Sequence, residues 1–190
     1  MYKSHKGWYK LNNPSKFIRP LDEYMDSTKV ISEGTFVQYK SGLERIAFCY
    51  ADLNPKIKHF SVEPFNIPYI KPLDNKVHRY FIDMFLEFAS GDKFLVEIKS
   101  HHETLPPEKP KVNTSRALIR YKNALETYLT NQAKWKSARE FAESKGMKFI
   151  ILTEKELRRW YIFNYCIAFL LNFQFLCLNK YIIHWRFYDF

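Results

Sequence analysis

Acidic and basic side chains suited to metal-assisted chemistry stand close together near the middle of the sequence. Glu97, Ile98 and Lys99 are consecutive, and Asp83 comes shortly before them. Alternate residues of a β-strand point to the same side, so Glu97 and Lys99 would share one face while Ile98 packs into the core. Mg²⁺ binds one or two carboxylates, keeps several waters and accepts a phosphate oxygen. The pattern therefore predicts phosphodiester hydrolysis, with Asp83 and Glu97 as metal ligands and Lys99 either positioning the attacking water or stabilising the developing charge.

A plainer interpretation exists for the same residues. Asp83 and Lys99 could form a cross-strand ion pair at the surface, where such a pair contributes less than about 1 kcal/mol. The nearby group His101, His102 and Glu103 resembles a ligand cluster, but it lies in a proline-rich loop without a partner cluster, so we do not expect it to bind a metal. The choice between ion pair and metal site depends on the elements that position these side chains.

A β-hairpin is expected to bring the two carboxylates together. Apolar alternation predicts one strand over residues 77–88 and a second over 94–99, joined by a glycine-containing turn. With a loop of odd length, Asp83 would face Lys99 and lie diagonal to Glu97. A loop of even length would instead send Asp83 to the opposite side of the sheet.

Alternation along the first of these strands also divides its side chains between two faces. Tyr80 and Ile82 fall on one face with Met84, whereas Asp83 falls on the other with Phe85. Asp83 is therefore an acidic residue within an otherwise apolar stretch.

Upstream of the hairpin, the sequence predicts a helix and an edge strand. A helix that begins at Ser41 and stops at Asn54–Pro55 is indicated by the helical spacing of Leu43, Ile46, Ala47 and Tyr50. Residues 58–63 alternate as a strand, which Pro64 limits to the edge of a sheet. A loop is expected from there to residue 76.

Downstream of the hairpin, a polar, proline-rich loop over 101–111 leads into a long helix. The helix is expected to start near Thr114, to be interrupted at Thr130–Asn131 and to end at Gly146. Residues 147–153 read as a buried strand, which makes the helix a crossover connection. The order is helix, three strands, helix, strand, which predicts an α/β fold with a mixed sheet.

The composition fits one globular, basic domain. A chain of 190 residues with 46% hydrophobic and 26% charged residues can bury a core, which excludes collagen-like and wholly disordered classes. The net charge of +10 favours polyanionic partners such as nucleic acid, although a merely basic surface would give the same charge. Three scattered cysteines without a CxxC pair predict neither a disulfide framework nor a zinc site.

The order of elements and the positions of the charged residues resemble the PD-(D/E)xK nuclease superfamily. The resemblance implies a restriction-endonuclease-like core, with the signature falling on Asp83, Glu97 and Lys99. It also implies that Glu44, on the first helix, is a further catalytic and metal-binding residue. Ser41 and Glu44 fit a helix-capping box equally, and one side chain can serve both roles.

Several stretches are similar in more detail to the head-completion nucleases of T-even-type tailed phages. They are YKSGLER (39–45), DLNP (52–55), IPY (67–69), HRYFIDMFLEF (78–88), NQAKW (131–135) and FIILTEKEL (149–157). The resemblance implies a Mg²⁺-dependent DNA endonuclease that acts on the packaged head, in the host cytoplasm or the virion. Its implied partners are double-stranded DNA and phage head or portal proteins, with no membrane. A non-catalytic DNA-end- or portal-binding protein and a transposon-end-type nuclease are the alternatives.

Basic side chains around this signature are candidate phosphate contacts. Those on or near the predicted helices and the hairpin are Arg45, His78, Arg79, Arg116, Arg120, Lys134 and Lys136. Any single one of them is more commonly a solvated charge, because basic helical faces are frequent in soluble proteins.

The two ends of the chain depart from the central pattern. Residues 1–37 are expected to form an irregular basic arm that binds nucleic acid or packs across the core, followed by the nuclease domain over 38–157. Residues 158–190 form an apolar extension, in which Trp160–Leu178 carries no charge. Its length permits a membrane span, but its dispersed polar residues argue against one. A docked helix, a portal-binding appendage and an altered reading frame are the other interpretations.

Overall fold

The computed structural model describes residues 6–18 and 36–158 of the chain, and the statements below concern these residues. The helices are α1 (Gly42–Leu53), α2 (His101–Thr104) and α3 (Ser115–Ser144). The strands are β1 (Gly7–Lys10), β2 (Phe36–Tyr39), β3 (Ile57–Val62), β4 (Asn66–Ile70), β5 (Val77–Phe81), β6 (Met84–Phe88), β7 (Lys93–Ile98) and β8 (Lys148–Leu152).

A four-stranded mixed sheet in the order β3-β6-β7-β8 forms the centre of the described residues. β6 pairs antiparallel with both β3 and β7, and β8 pairs parallel with β7. A parallel neighbour needs a crossover connection, which α3 supplies between β7 and β8. For the main sheet with α1 and α3, the predicted order of helix, three strands, helix and strand is confirmed, as is the position of β3 at an edge of the sheet.

Helices cover both faces of this sheet. Phe48 of α1 belongs to one buried apolar cluster together with Met84 and Val96. Ala138 of α3 belongs to a second cluster, to which Phe85, Leu95 and other residues contribute. Because successive residues of β6 and β7 point to opposite faces, each strand supplies side chains to both clusters. The strands that carry the charged residues are therefore fixed from both sides.

A second hairpin lies outside the main sheet, where the sequence predicted a loop. β4 and β5 pair antiparallel with each other, so residues 66–70 form a strand. Pro68 did not prevent this, because a two-stranded ribbon has a free edge that tolerates a missing donor. The single strand predicted over 77–88 is also wrong, since the chain leaves regular pairing at Ile82–Asp83 and divides into β5 and β6.

Both helices differ in detail from their predicted form. In α1 the buried side chains include Phe48 and Ala51, whereas Ile46, which was expected in the stripe, is exposed. In α3 there is no interruption at Thr130–Asn131. Ala133 and Ala138, which follow Asn131, pack in the second apolar cluster, and this packing outweighs the low helix propensity of threonine and asparagine. The helix ends before Gly146, whose φ of +69° suits glycine.

Three further segments correct the sequence-based picture. Gly7–Lys10 is a strand paired with β2, so this part of the arm is regular rather than irregular. His101–Thr104 is a short helix within the predicted loop, placed before the prolines begin. β8 is half-buried rather than buried, because it lies at the edge of the described sheet.

Much of the two predicted terminal segments lies outside the described residues. Residues 1–5 and 19–35 of the arm, and 159–190 with the apolar stretch, belong to this group. The division of the chain at residues 37 and 157 therefore stays a prediction. Among the described residues, no helix is both long enough and apolar enough to span a bilayer.

Candidate active site

Asp83 lies at the point where the chain passes from the outer hairpin into the main sheet. β6 and β7 pair with Met84 opposite Val96, which places Asp83 beside Glu97. The predicted pairing with Lys99 is therefore wrong by two residues, a shift that leaves Asp83 and Glu97 on a shared face. The backbone N–H of Ile98 donates to Asp83 Oδ2 at 2.7 Å and fixes the carboxylate in place.

Tyr80 contacts Glu97, although alternation predicted it on the face opposite Asp83. The break at Ile82–Asp83 changes the alternation, so Tyr80 and Asp83 both reach the side of Glu97. The buried Tyr80 hydroxyl donates a hydrogen bond to Glu97 Oε2. Burial, followed by the charge of Glu97, raises the pKa of this phenol. Tyr80 therefore remains neutral and holds Glu97 in one orientation.

The two carboxylates are close enough to disfavour each other's charge. Burial and the neighbouring Glu97 raise the pKa of Asp83 well above its usual range, and Glu44 adds to the effect. The hydrogen bond from Ile98 acts in the opposite direction without cancelling it. A pair of this kind requires either a shared proton or a cation to offset the repulsion.

Two lysines approach the carboxylates from different elements. Lys99 directly follows the end of β7, and its Nζ lies 3.9 Å from Glu97 Oε1. Lys134 on α3 lies over the rings of Tyr69 and Tyr80, with its Nζ 5.7 and 5.5 Å from their centroids. Burial lowers the pKa of Lys134, and the charge of Glu97 opposes this shift. Both ammonium groups thus line the site, and the two aromatic rings hold that of Lys134 in place.

Glu44 caps the helix that carries it. The Ser41 Oγ accepts the Glu44 N–H at 3.1 Å, and Glu44 Oε2 accepts the Lys40 N–H at 2.7 Å. The capping interpretation is therefore confirmed, while the charge of Glu44 still reaches Asp83. Within residues 6–18 and 36–158, no three His, Cys, Asp or Glu side chains converge closely enough to hold an ion among them. A direct metal contact by Glu44 stays a prediction.

These side chains surround a pocket of about 420 Å³. It opens at the ends of β3 and β7 and at the start of β6. The wall is formed by the acids Glu63, Asp83 and Glu97, by the cations Lys40, Arg79, Lys99 and Lys134, and by Tyr80 and Phe81. Four cations around three acids give a pocket that can accept both a divalent metal ion and the phosphates of a polyanion.

Lys40 and Glu63 are pocket residues that the sequence did not reveal. They form an ion pair with each other, and Lys40 also faces Glu44 and Asp83. Glu63 has a φ of +46°, and its N–H donates to the backbone oxygen of Asp83 at 3.0 Å. Left-handed backbone at a residue other than glycine costs about 1 kcal/mol or more and is common at functional sites. Only the register between β3 and β6 brings Glu63 beside Asp83.

The candidate phosphate contacts separate into two groups. Arg79 and Lys134 line the pocket. The others do not: His78 Nε2 is hydrogen-bonded to Asp74 at 2.9 Å, and the Arg45 guanidinium lies 6.0 Å from the ring of Tyr39. The remaining three, which are exposed on α3, are Arg116, Arg120 and Lys136. DNA contacts by the second group stay predictions.

Comparison with known proteins identifies the family. Residues 54–154, which span β3 to β8, match the TnsA-like endonuclease N-terminal family. The chain belongs to this family. The head completion nuclease of Enterobacteria phage T4 is 41% identical over 122 residues, a region that covers 64% of this chain and 81% of the relative.

Membership of the TnsA-like endonuclease family confirms two expectations. The resemblance to PD-(D/E)xK nucleases and to phage head-completion nucleases is correct, and the mixed α/β core is restriction-endonuclease-like. The matched region contains Asp83, Glu97 and Lys99. Glu44 lies before the region that matches the family.

Proposed function

We propose that this protein is a Mg²⁺-dependent DNA endonuclease that hydrolyses phosphodiester bonds during phage head completion, after DNA packaging. The observation that carries the proposal is the adjacent pair Asp83 and Glu97. Both carboxylates line a pocket that several cations also line, and Lys99 lies beside Glu97. Family membership supports an endonuclease, and the name of the phage T4 relative supports a role in head completion.

The donor atoms of this pair fit a divalent metal ion. Asp83 and Glu97 offer hard carboxylate oxygens, and their mutual repulsion would be relieved by a bound cation. Two carboxylates are the number that Mg²⁺ commonly takes, with waters and a substrate oxygen completing its coordination. A bound Mg²⁺ would supply Lewis-acid polarisation of the phosphodiester and a lower pKa for an attacking water. Glu44 would complete the acidic set from the start of α1.

The remaining side chains orient the reactants. Lys99 positions the attacking water and stabilises the negative charge that develops on the phosphate. Tyr80 keeps Glu97 in place through its hydroxyl hydrogen bond. The cations across the pocket, Arg79 and Lys134, bind the phosphates of the DNA strand. The residues assigned to the chemistry therefore lie next to the start of β6 and at the end of β7, and those assigned to substrate binding lie on β5 and α3.

The proposed partners follow from charge and from the relative. The net charge of +10 and the cations of the pocket suit double-stranded DNA. Phage head or portal proteins are the proposed assembly partners, and the proposed place of action is the host cytoplasm or the virion.

Cleavage of supercoiled plasmid tests the proposal. The purified protein should nick or linearise the plasmid in Mg²⁺, and this cleavage should stop when EDTA is added. Lys99→Met should reduce the rate by about a hundredfold or more, because it removes charge stabilisation at the reacting phosphate. Lys148→Met is the matched control, since Lys148 forms an exposed ion pair with Asp92 at 3.1 Å and does not line the pocket.

Two outcomes would contradict the proposal. Equal rates for Lys99→Met and the wild-type protein would reject the assigned role of Lys99. Tight DNA binding without cleavage in Mg²⁺ or Mn²⁺ would favour the alternative, a non-catalytic DNA-end-binding protein that keeps the nuclease fold.

A further inference from the structure

The hairpin formed by β4 and β5 is a two-stranded ribbon held firmly by one of its faces. Its inner side chains include Ile67 and Tyr80, which are opposed across the ribbon and both buried. They share an apolar cluster with Ala138 and Ala142 of α3. The ribbon is thus anchored to α3 through its inner face.

The outer face of the ribbon is apolar and exposed. Ile70 and Val77 are directly opposed and are 61% and 72% exposed, and Phe81 further along the same face is 45% exposed. Pro68 and Arg79 form an opposed pair between them, also exposed. Large apolar side chains gathered on one exposed face mark an interaction surface more often than a solvated one.

This outer face continues into the candidate active site. Arg79 and Phe81 line the pocket that contains Asp83. At the other end of the ribbon, the turn carries Lys71 and Lys76, and its acidic residue Asp74 is hydrogen-bonded to His78. The face therefore presents apolar side chains within a basic frame, from the turn to the pocket.

We propose that the outer face of the ribbon docks in a groove of duplex DNA beside the phosphate to be cleaved. The inference rests on the proposed function, because the direction of the ribbon is set by the pocket. A two-stranded ribbon fits the width of the DNA major groove. The basic residues of the frame would contact phosphates, while Ile70 and Val77 would contact base edges and sugars. These apolar side chains carry no hydrogen-bonding groups, so docking depends only weakly on base sequence.

Duplex binding in EDTA tests the docking surface without any cleavage. The double variant Ile70→Ser/Val77→Ser should bind a fluorescent duplex at least about tenfold more weakly than the wild type, because burial of two apolar side chains is lost. The matched control is Val112→Ser/Ile119→Ser, whose side chains are 64% and 60% exposed and lie outside the ribbon. The control should retain wild-type affinity, and both variants should keep the wild-type melting temperature.

A second pair of variants separates docking from a general change of surface. Val77→Glu should weaken duplex binding more than Val77→Ser, since it brings a negative charge towards phosphates, and the difference should shrink in high salt. Val112→Glu should show a much smaller loss. Equal losses for Val77→Glu and Val112→Glu would overturn the proposal.

The remaining outcomes separate this inference from the proposed function. Unchanged duplex affinity in the serine double variant would overturn the docking surface, and loss of binding to phage head proteins in that variant would assign the face to a protein partner instead. A wild-type protein that binds the duplex through this face but never cleaves DNA would support docking and reject the endonuclease proposal.

Discussion

The carboxylate of Asp83 links stability to pH. Burial and Glu97 raise its pKa, so the folded protein holds this proton more tightly than the unfolded chain does. The stability of the folded state therefore falls as pH rises through the unfolded value near 4 and towards the higher folded value. Above both pKa values, the stabilisation that the protonated Asp83 provides is lost completely. An active site that keeps such a charge trades stability for function.

Asp83→Asn should therefore stabilise the metal-free protein at neutral pH. Asparagine can still accept the Ile98 N–H, but it carries no charge to repel Glu97. In EDTA at pH 7, we expect the melting temperature to rise by about 2–4 °C for each kcal/mol regained, with the gain shrinking towards pH 4. Thermal unfolding across this pH range measures the effect.

Asp92→Asn is the control, because the pKa of Asp92 is shifted in the opposite direction to that of Asp83. Hydrogen bonds from Ser90 and Lys148 lower the pKa of the exposed Asp92, so its charge does not oppose folding at neutral pH. The control should show no rise in melting temperature at pH 7. If Asp83→Asn also showed none at any pH, the description of a strained carboxylate pair would be wrong.

Lys134 should contribute to DNA cleavage, whereas Lys122 of the same helix should not. Lys134 lies over two aromatic rings and lines the pocket, while Lys122 is exposed and pairs with Glu126 on α3. We expect Lys134→Met to reduce plasmid cleavage about tenfold, mainly through a higher KM, because a phosphate contact is lost. Lys122→Met, the matched control outside the candidate phosphate contacts, should leave KM unchanged. A similar KM for both variants would remove Lys134 from the site.

At the level of elements, the break at Ile82–Asp83 explains what the sequence could and could not predict. The alternation in residues 93–98 is local, so the shared face of Glu97 and Lys99 was predictable. The residues around Asp83 also alternate without interruption, and no local signal marks the change of partner from β4 to β3 and β7. The contact between Tyr80 and Glu97 depends on that change and could not be predicted.

A buried carboxylate of α1 helps to attach the first strand and the residues after it to the domain. Asp52 at the end of α1 accepts the N–H groups of Asn12 and Asn13 at 2.7 and 2.8 Å and the Tyr9 hydroxyl at 2.9 Å. Burial alone would raise the pKa of Asp52, but these hydrogen bonds lower it overall. Its contribution to stability is therefore present above the unfolded pKa and is lost as pH falls through the folded value.

Asp52→Ala should release this part of the arm. The three donors named above and the Asn12 side-chain amide, at 3.1 Å, would lose a charged acceptor. Hydrogen bonds to charged groups contribute about 1.5–3 kcal/mol each, so we expect a loss of roughly 2–4 kcal/mol after relaxation. Urea denaturation measures the loss. Relative to the wild type, the substitution should accelerate amide hydrogen exchange more in Gly7–Lys10 than in α3. The exposed Asp92→Ala is the control. Unchanged protection of Gly7–Lys10 would contradict this role.

For the molecule as a whole, the order of the main helices and strands was predictable because the apolar residues of each element repeat with the period of a helix or of a strand. The pairing of β1 with β2 was not, since both strands are four residues long and distant in sequence. The pocket shows the same limit. Asp83, Glu97, Lys99 and Lys134 were identified from residue type and spacing, whereas Lys40 and Glu63 reach the site only through the assembled sheet.

We propose that Asp83 and Glu97 together hold the metal ion required for DNA hydrolysis. The initial rate of plasmid cleavage, measured against Mg²⁺ concentration for the wild type, Asp83→Asn and Asp92→Asn, tests this proposal. We predict that the wild type and Asp92→Asn show the same saturable Mg²⁺ dependence, and that Asp83→Asn is slower by about a hundredfold or more at every concentration. A wild-type rate for Asp83→Asn, or wild-type cleavage that persists in EDTA, would contradict the claim.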